Sequence, residues 1–134
     1  DGVTAGDPVL SGDGILVGTI TTSEQHKSFV LPLTDSRSKI LASIVQEKSE
    51  IRGIAEGQFA TGVSLTLIPI SAELKNDDLV ITSGLQDRIP AGLVIGTIHT
   101  IQKNPEDLFQ SAILKNVASI NEFSLLSILI STEK

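Results

Sequence analysis

The feature that most constrains the fold is a phrase that occurs twice along the chain. Residues 7–22 read DPVLSGDGILVGTITT, and residues 78–100 read DLVITSGLQDRIPAGLVIGTIHT. Each copy runs from Asp through aliphatic residues to a small hydroxyl residue, and after a turn it ends in an aliphatic run that contains Gly-Thr-Ile. Runs of this kind on either side of turn residues are typical of β-hairpins. The repeat therefore predicts two related β units and argues against a helical protein.

Alternating apolar residues and β-branched residues predict strands along the rest of the chain as well. In Val63-Ser64-Leu65-Thr66-Leu67, for example, the apolar side chains are expected to share one face. The predicted strands lie near residues 8–10, 15–22, 27–33, 39–46, 51–57, 63–70, 79–82, 93–101, 108–114 and 123–130. Short strands separated by turns indicate an all-β barrel or sandwich with little helix. Gly18 and Gly96 fall within strands at matching positions of the repeat, where a glycine often marks a bulge or a barrel corner.

Composition excludes several classes of function. The net charge is −6 and no run of Lys or Arg is present, so the chain is not expected to bind nucleic acid. Cysteine is absent, which rules out disulfides and cysteine zinc sites. No apolar run is long enough to predict a membrane span. Methionine is also absent, which predicts that these residues are part of a longer chain.

Candidate catalytic and metal-binding residues are few. His26, Asp35 and Ser83 occur in the chain order of chymotrypsin-like proteases, but the Gly-Asp that should precede such a serine is missing. A turn serine and a surface histidine are the favoured interpretation. His99 is the second of two histidines and is far from His26 in sequence, so no metal motif is formed, and no metal or cofactor is expected.

One aromatic residue is a candidate for protein contact. Phe59 lies in the segment 56–62, which reads EGQFATG and has little reason to bury an aromatic side chain. An exposed loop phenylalanine can anchor a partner protein. Folding back over the mouth of a barrel is an equally good explanation.

The second copy of the phrase carries a family resemblance. DLVITSG at 78–84, followed by IPAGLVIGTI at 89–98, is similar to the T-S-G strand and the following Pro-x-Gly strand of the MreC family of bacterial rod-shape proteins. Residues 6–9, the corner 33–40, and Arg52-Gly53 with Gly57 resemble other phrases of that family in the same order. The motif positions are Asp78, Thr82, Ser83, Gly84, Pro90, Gly92 and Gly96. Two segments depart from the pattern: 76–78 stands where Gly-Asp is usual, and 86–88 replaces a turn that is commonly Gly-rich.

The resemblance implies a fold of two small, interleaved, six-stranded-type β-barrels or sandwich subdomains. Elements of residues 1–35 and 71–134 would lie around a subdomain of residues 36–70, and the whole of 1–134 would be an MreC-like periplasmic region. The region would lie at the extracytoplasmic face of the bacterial cytoplasmic membrane, anchored by an N-terminal helix upstream of it.

The resemblance also implies a non-enzymatic scaffold of the cell-elongation machinery, which maintains rod shape by binding and activating peptidoglycan synthases. The implied partners are a second copy in a dimer or filament, the elongation-specific penicillin-binding protein, MreD, RodA and, indirectly or through the N-terminal region, MreB. Two alternatives stay open. One is a β-barrel adaptor module of a membrane-fusion transport protein, and the other is a two-barrel serine hydrolase.

Overall fold

The computed structural model describes residues 3–11, 13–23, 28–47, 49–58, 62–118 and 126–128. Within these ranges the chain forms ten strands, and no helix in them is long and apolar enough to cross a membrane. The strands are β1 (Pro8–Ser11), β2 (Leu16–Ser23), β3 (Ser28–Pro32), β4 (Lys39–Val45), β5 (Glu50–Gly57), β6 (Val63–Pro69), β7 (Leu79–Thr82), β8 (Val94–Gln102), β9 (Phe109–Lys115) and β10 (Leu126–Ile128). Each lies close to a strand that the apolar alternation predicts.

Six of these strands form a closed barrel in the order β4-β5-β6-β9-β8-β7. Side chains alternate between its interior and its outer face, as on β5, where Ile51 and Ala55 are buried and Arg52 is exposed. Burying one face of every strand removes aliphatic surface from water, and that burial is the main force that closes the barrel. The core consists of aliphatic residues, including Ile40, Ile44, Leu65, Ile68, Val80, Ile95, Ile98 and Ala112.

The remaining strands form a four-stranded sheet in the order β10-β1-β2-β3, and it repeats part of the barrel in the same register. In the β1–β2 hairpin Val9 pairs with Gly18, and in the β7–β8 hairpin Val80 pairs with Gly96. Directly after each of these pairs the register shifts by a bulge. The repeat seen in the sequence is therefore confirmed as a repeat of backbone pairing.

The correspondence extends to the strands on either side. A second bulge lies between Ile20 and Thr22 where β2 pairs with β3, and another between Ile98 and Thr100 where β8 pairs with β9. On the other side, β10 pairs with β1 as β4 pairs with β7. The sheet β10-β1-β2-β3 thus matches the barrel strands β4-β7-β8-β9.

The two units differ in how they end. In the barrel, β5 and β6 join β4 to β9 and close the ring. Within the described residues no such pair joins β10 to β3, and the sheet is open. The all-β class and the two β units are confirmed, but the second unit is here an open sheet rather than a second closed barrel. The barrel also includes β7, β8 and β9, which belong to residues 71–134. The predicted division groups those residues with residues 1–35, and as a domain boundary it stays a prediction.

The mid-strand glycines are explained by the close approach of the next strand. A Cβ added to Gly18 would lie 2.3 Å from the carbonyl oxygen of Leu31, and one added to Gly96 would lie 2.8 Å from that of Lys115. Neither distance is possible for a real side chain, so only glycine lets the next strand approach so closely. Each glycine pairs with the residue after which the register shifts, in agreement with the prediction of a bulge or a barrel corner.

The sheet and the barrel share one core. Leu16 of β2 and Leu33, which follows β3, are buried in the same cluster as the barrel residues. Ile15 forms a parallel bridge with Val94 at the start of β8. Between the same two units, the Arg88 guanidinium Nη1 lies 3.2 Å from Oδ1 of Asp7, whose side chain is fully buried. The two units therefore pack directly against each other.

Candidate interaction surface

The motif residues around Ser83 form the loop between β7 and β8. Thr82 connects the two ends of this loop through hydrogen bonds. The Thr82 hydroxyl donates to the carbonyl oxygen of Pro90 at 2.6 Å and accepts from the backbone N–H of Leu93 at 3.0 Å. The backbone carbonyl of Thr82 also accepts from the N–H of Gly92. Because Thr82 is fully buried, these bonds have little competition from water, and they fix the loop ends together.

Two glycines shape the loop. Gly84 and Gly92 have φ values of 84° and 93°, in the left-handed region that glycine adopts without strain. A Cβ on Gly84 would in addition lie 2.8 Å from Cβ of Ala91. At the start of the loop the Ser83 hydroxyl accepts a hydrogen bond from the N–H of Leu85, and the Leu85 side chain is 58% exposed. The loop thus presents a leucine to solvent.

The residues that depart from the family pattern in this loop make specific contacts. The Gln86 side chain extends the edge of β4, because its Oε1 accepts from the N–H of Leu41 at 2.8 Å and its Nε2 donates to the carbonyl oxygen of Lys39 at 3.2 Å. Two residues further on, Arg88 makes the ion pair with Asp7. The longer, polar turn therefore connects this loop both to β4 and to the sheet.

Asp78 organises the turn that enters β7. Its Oδ2 accepts from the N–H of Lys75 and from Nε2 of Gln46, both at 3.0 Å. Asp7 caps the equivalent turn before β1, where its Oδ2 accepts from the N–H of Thr4 at 2.8 Å. The two acidic residues that open the repeated phrase are accordingly turn-forming residues.

A second exposed leucine lies on β6, and the alternation predicts the wrong face for it. Leu67 is 52% exposed, whereas the next residue, Ile68, is fully buried. The cause is a bulge between Leu65 and Ile68 in the pairing of β6 with β9, which shifts the alternation by one residue. Leu67 has a φ of 56°, which is uncommon for any residue other than glycine.

Leu67 and Leu85 line one apolar groove on the outer face of the barrel, which we call the leucine groove. Its other aliphatic lining comes from Leu41 and Ile54, and its volume is about 240 Å³. Arg52 is a charged residue of the lining. Sequence analysis did not identify this groove; the adjacent pair Leu67-Ile68, which breaks the alternation, is the one signal that pointed to it.

The residues of the hydrolase alternative have local partners. Asp35 forms two hydrogen bonds of 3.0 Å with the Arg37 guanidinium, and this interaction lowers the pKa of Asp35 from 3.8 to about 2. Ser83 accepts a hydrogen bond within its own turn. His26 lies outside the described residues, and so does Phe59, the candidate contact residue. In the part of the chain that the structure describes, no group of three or more His, Cys, Asp or Glu side chains could hold a metal ion.

The fold and this surface define the class: an all-β barrel protein whose motif residues build loops and whose outer face carries exposed leucines. Residues 1–130 match the family model described as "Rod shape-determining protein MreC, barrel core". The chain therefore belongs to the MreC family of cell shape-determining proteins, and this assignment is favoured over the membrane-fusion adaptor alternative.

Individual relatives agree with the family match. The chain is 33% identical over 132 residues to the cell shape-determining protein MreC of Listeria monocytogenes, and the match covers 96% of this chain and 44% of the relative. The chain thus spans less than half the length of that protein. A solved structure of MreC from the same species superposes with a TM-score of 0.86 at 28% identity, covering 97% of this chain and 63% of the other.

Two more distant structures share the fold. One is a complex between a penicillin-binding protein and MreC from Helicobacter pylori, with a TM-score of 0.76 at 21% identity over 90% of this chain and 74% of that one. The other is the major periplasmic domain from the cell shape-determining filament MreC, with a TM-score of 0.77 at 20% identity over 88% of this chain and 72% of that one.

Proposed function

We propose that this chain is the extracytoplasmic part of a non-enzymatic scaffold that binds a peptidoglycan synthase of the cell-elongation machinery and also associates with itself. The observation that carries the proposal is the exposed apolar surface of a rigid barrel, including the leucine groove, in a chain of the MreC family. Apolar side chains that form a contiguous exposed patch are typical of protein–protein contact sites.

The architecture supports a scaffold role. A closed barrel has every strand paired on both sides, and the shared core with Leu16 and Leu33 couples the sheet to it. Such a body holds its surface in a fixed geometry, so binding loses little conformational entropy in the scaffold. Motif residues such as Thr82 and Gly84 maintain that geometry through the loop that carries Leu85.

The synthase partner is proposed to be the elongation-specific penicillin-binding protein. The Helicobacter pylori relative of the same fold forms a complex with a penicillin-binding protein, which supports a synthase of this kind as the partner. Contacts with MreD, RodA and MreB, and a location at the periplasmic face of the membrane, stay predictions from the family resemblance.

Binding of the purified extracytoplasmic part of that synthase to the immobilised chain tests the proposal. We expect saturable binding with a Kd in the micromolar range or below, about −8 kcal/mol or more favourable. A penicillin-binding protein of the cell-division machinery serves as the matched control and is expected to bind more weakly. A Kd of about 1 mM corresponds to a binding free energy of only about −4 kcal/mol. If no binding is detected at synthase concentrations up to that level, the proposal that the synthase is a partner is contradicted.

The non-enzymatic part of the proposal has its own test. A fluorophosphonate probe labels activated serines, and we expect it to leave this chain unlabelled. Covalent labelling that disappears in the variant Ser83→Ala would support the hydrolase alternative instead.

A further inference from the structure

We propose that the leucine groove is the surface through which two copies of this chain associate, with Leu67 of each copy entering the groove of the other around a twofold axis. The inference rests on the self-association that forms part of the proposed function and assigns it to specific residues. It follows from the backbone at Leu67, the shape of the groove beside it and the charges on β5.

The backbone at Leu67 is unfavourable for leucine in the isolated chain. A φ of 56° is one that Gly or Asn adopts readily and a bulky side chain does not. The same side chain is 52% exposed, so it gains little from burial within its own chain. Strained residues of this kind are concentrated at functional sites, where another contact compensates for the strain. Burial of Leu67 by a partner provides such a contact.

The groove beside Leu67 has the size and lining to receive an aliphatic side chain. Its volume of about 240 Å³ exceeds the roughly 150 Å³ of a cavity that accommodates a benzene molecule. The lining includes Leu41, Ile54 and Leu85. Leu67 also borders two neighbouring depressions, and with 52% of its surface exposed it forms part of the ridge between them and the groove.

A projecting leucine next to an apolar groove makes the patch complementary to itself. In a twofold dimer the same patch of each copy meets the other, so each feature must lie opposite its complement. Rotation about an axis close to the rim of the groove brings Leu67 of one copy to the groove of the second, and the reverse contact forms at the same time. Another protein would need a separate apolar projection to fill the groove.

The charges on β5 also favour a second copy as the occupant. Glu50 and Arg52 both point outward, each is 55% exposed, and their side chains are 3.2 Å apart. A twofold axis next to β5 reverses their order, so that Arg52 of one copy faces Glu50 of the second. Each chain carries a net charge of −6, which opposes association in general. Beside the leucine groove, by contrast, the oppositely charged side chains of Glu50 and Arg52 on the two copies would attract each other.

Sedimentation equilibrium of the wild-type chain and of Leu67→Asn tests the proposal. Because Asn tolerates left-handed φ, we expect the variant to unfold at a higher temperature than the wild type and yet to dimerise at least tenfold more weakly. Leu108→Asn is the matched control, since Leu108 is 79% exposed and is not part of the groove lining, and it should leave the dimerisation constant unchanged. If Leu67 had only a structural role, a replacement that raises the unfolding temperature would not weaken dimerisation.

A charge exchange tests the twofold geometry. Arg52→Glu alone should weaken dimerisation, since it places two acidic groups opposite each other, and adding Glu50→Arg should restore it. A wild-type chain that stays monomeric up to about 1 mM, a Leu67→Asn variant that dimerises like the wild type, or a double exchange without restoration would each overturn the proposal.

Synthase binding by the same variants separates this inference from the proposed function. Loss of synthase binding in Leu67→Asn with unchanged dimerisation would assign the groove to the synthase and overturn the self-association site. Absence of synthase binding by the wild type, with dimerisation that depends on Leu67, would support the inference while contradicting the synthase partner.

Discussion

At the scale of single residues, the non-glycine residues with left-handed φ differ in what compensates for their unfavourable backbone conformation. Leu67, Asp77, Arg88 and Asn116 all have φ between 56° and 73° without being glycine. Asp and Asn accept this conformation comparatively well, since their short polar side chains can hydrogen-bond locally. Arg88 is bulky, and its guanidinium pairs with the buried carboxylate of Asp7. For Leu67, the leucine groove supplies the corresponding explanation.

Thr82 is the residue whose side chain holds the β7–β8 loop closed, and its replacement should destabilise the fold. Thr82→Val keeps the shape but leaves the carbonyl oxygen of Pro90 and the N–H of Leu93 without their hydroxyl partner. We expect a loss of about 1–3 kcal/mol in the free energy of unfolding, measured by urea denaturation. Thr100→Val, at an exposed position of β8, is the control and should change stability by less than about 0.5 kcal/mol. Equal stability of the two variants would contradict this role of Thr82.

Asp35 should titrate well below an ordinary aspartate. Hydrogen bonds from Arg37 lower its pKa from 3.8 to about 2 in the folded state. Since the folded-state value is depressed, the pair stabilises the fold above pH 3.8, and this contribution is lost as the pH falls towards 2. NMR titration of the side-chain carboxyl carbon measures the pKa directly. Arg37→Ala should return it towards 3.8, and Arg52→Ala should leave it unchanged; a pKa near 3.8 in the wild type would refute the interaction.

At the scale of elements, the two copies of the hairpin agree in their pairing more than in their sequence. The bulges after Val9 and Val80 coincide, although one hairpin has a short turn and the other carries the long loop with Leu85. Gly18 and Gly96 pair with the residues after which the register shifts and let the next strand approach closely, and the turn between the strands varies without changing this pairing. The loop is therefore the part of the hairpin that is free to provide a surface.

Adding a methyl group at the bulge glycines should destabilise both hairpins. Gly18→Ala and Gly96→Ala place a Cβ 2.3 Å and 2.8 Å from a carbonyl oxygen of the next strand. We expect losses of about 1–3 kcal/mol in the free energy of unfolding, larger for Gly18 because its approach is closer. Gly62→Ala is the control, because a Cβ added there would have no neighbour within 4 Å and the φ of Gly62 is not left-handed. Urea denaturation of the three variants measures the difference, and an equally large loss for Gly62→Ala would argue against steric exclusion.

At the scale of the whole molecule, long-range contacts join the sheet to the barrel. Asp7 and Arg88 are 81 residues apart in sequence, and each belongs to a turn of a different unit. The two units also share the buried core that contains Leu16 and Leu33. The ion pair and the shared core thus both join the sheet to the barrel.

Breaking the Asp7–Arg88 pair should therefore destabilise the whole chain. Arg88→Met leaves a buried carboxylate without its cation, and because Arg88 is itself partly exposed we expect a loss of about 1–3 kcal/mol. Adding Asp7→Asn should recover part of this loss, because a neutral amide needs no cation and can still accept from the N–H of Thr4. Thermal unfolding of the single and double variants measures the recovery.

The control for that pair is Lys115→Met, which removes a partner of the exposed Asp77 and should cost at most about 1 kcal/mol. A double variant less stable than Arg88→Met alone would show that the Asp7 carboxylate is stabilised by groups other than Arg88.

Sequence alone determined the strands, the repeat and the role of the bulge glycines, because each depends on residues close together in the chain. Period-two alternation places β4 and β5, and Gly18 and Gly96 stand where a Cβ would collide. The family resemblance likewise rested on short phrases such as the one from Asp78 to Gly84.

Only the tertiary structure decided the closure of the barrel, the outward direction of Leu67 and the pairing of Asp7 with Arg88. Closure depends on β5 and β6 joining strands that are distant in sequence, and no local pattern specifies such a partner. The bulge that turns Leu67 outward arises from the pairing of β6 with β9, so the same residues would alternate regularly in an isolated strand. The leucine groove is a product of these long-range pairings, which is why its residues are scattered along the chain.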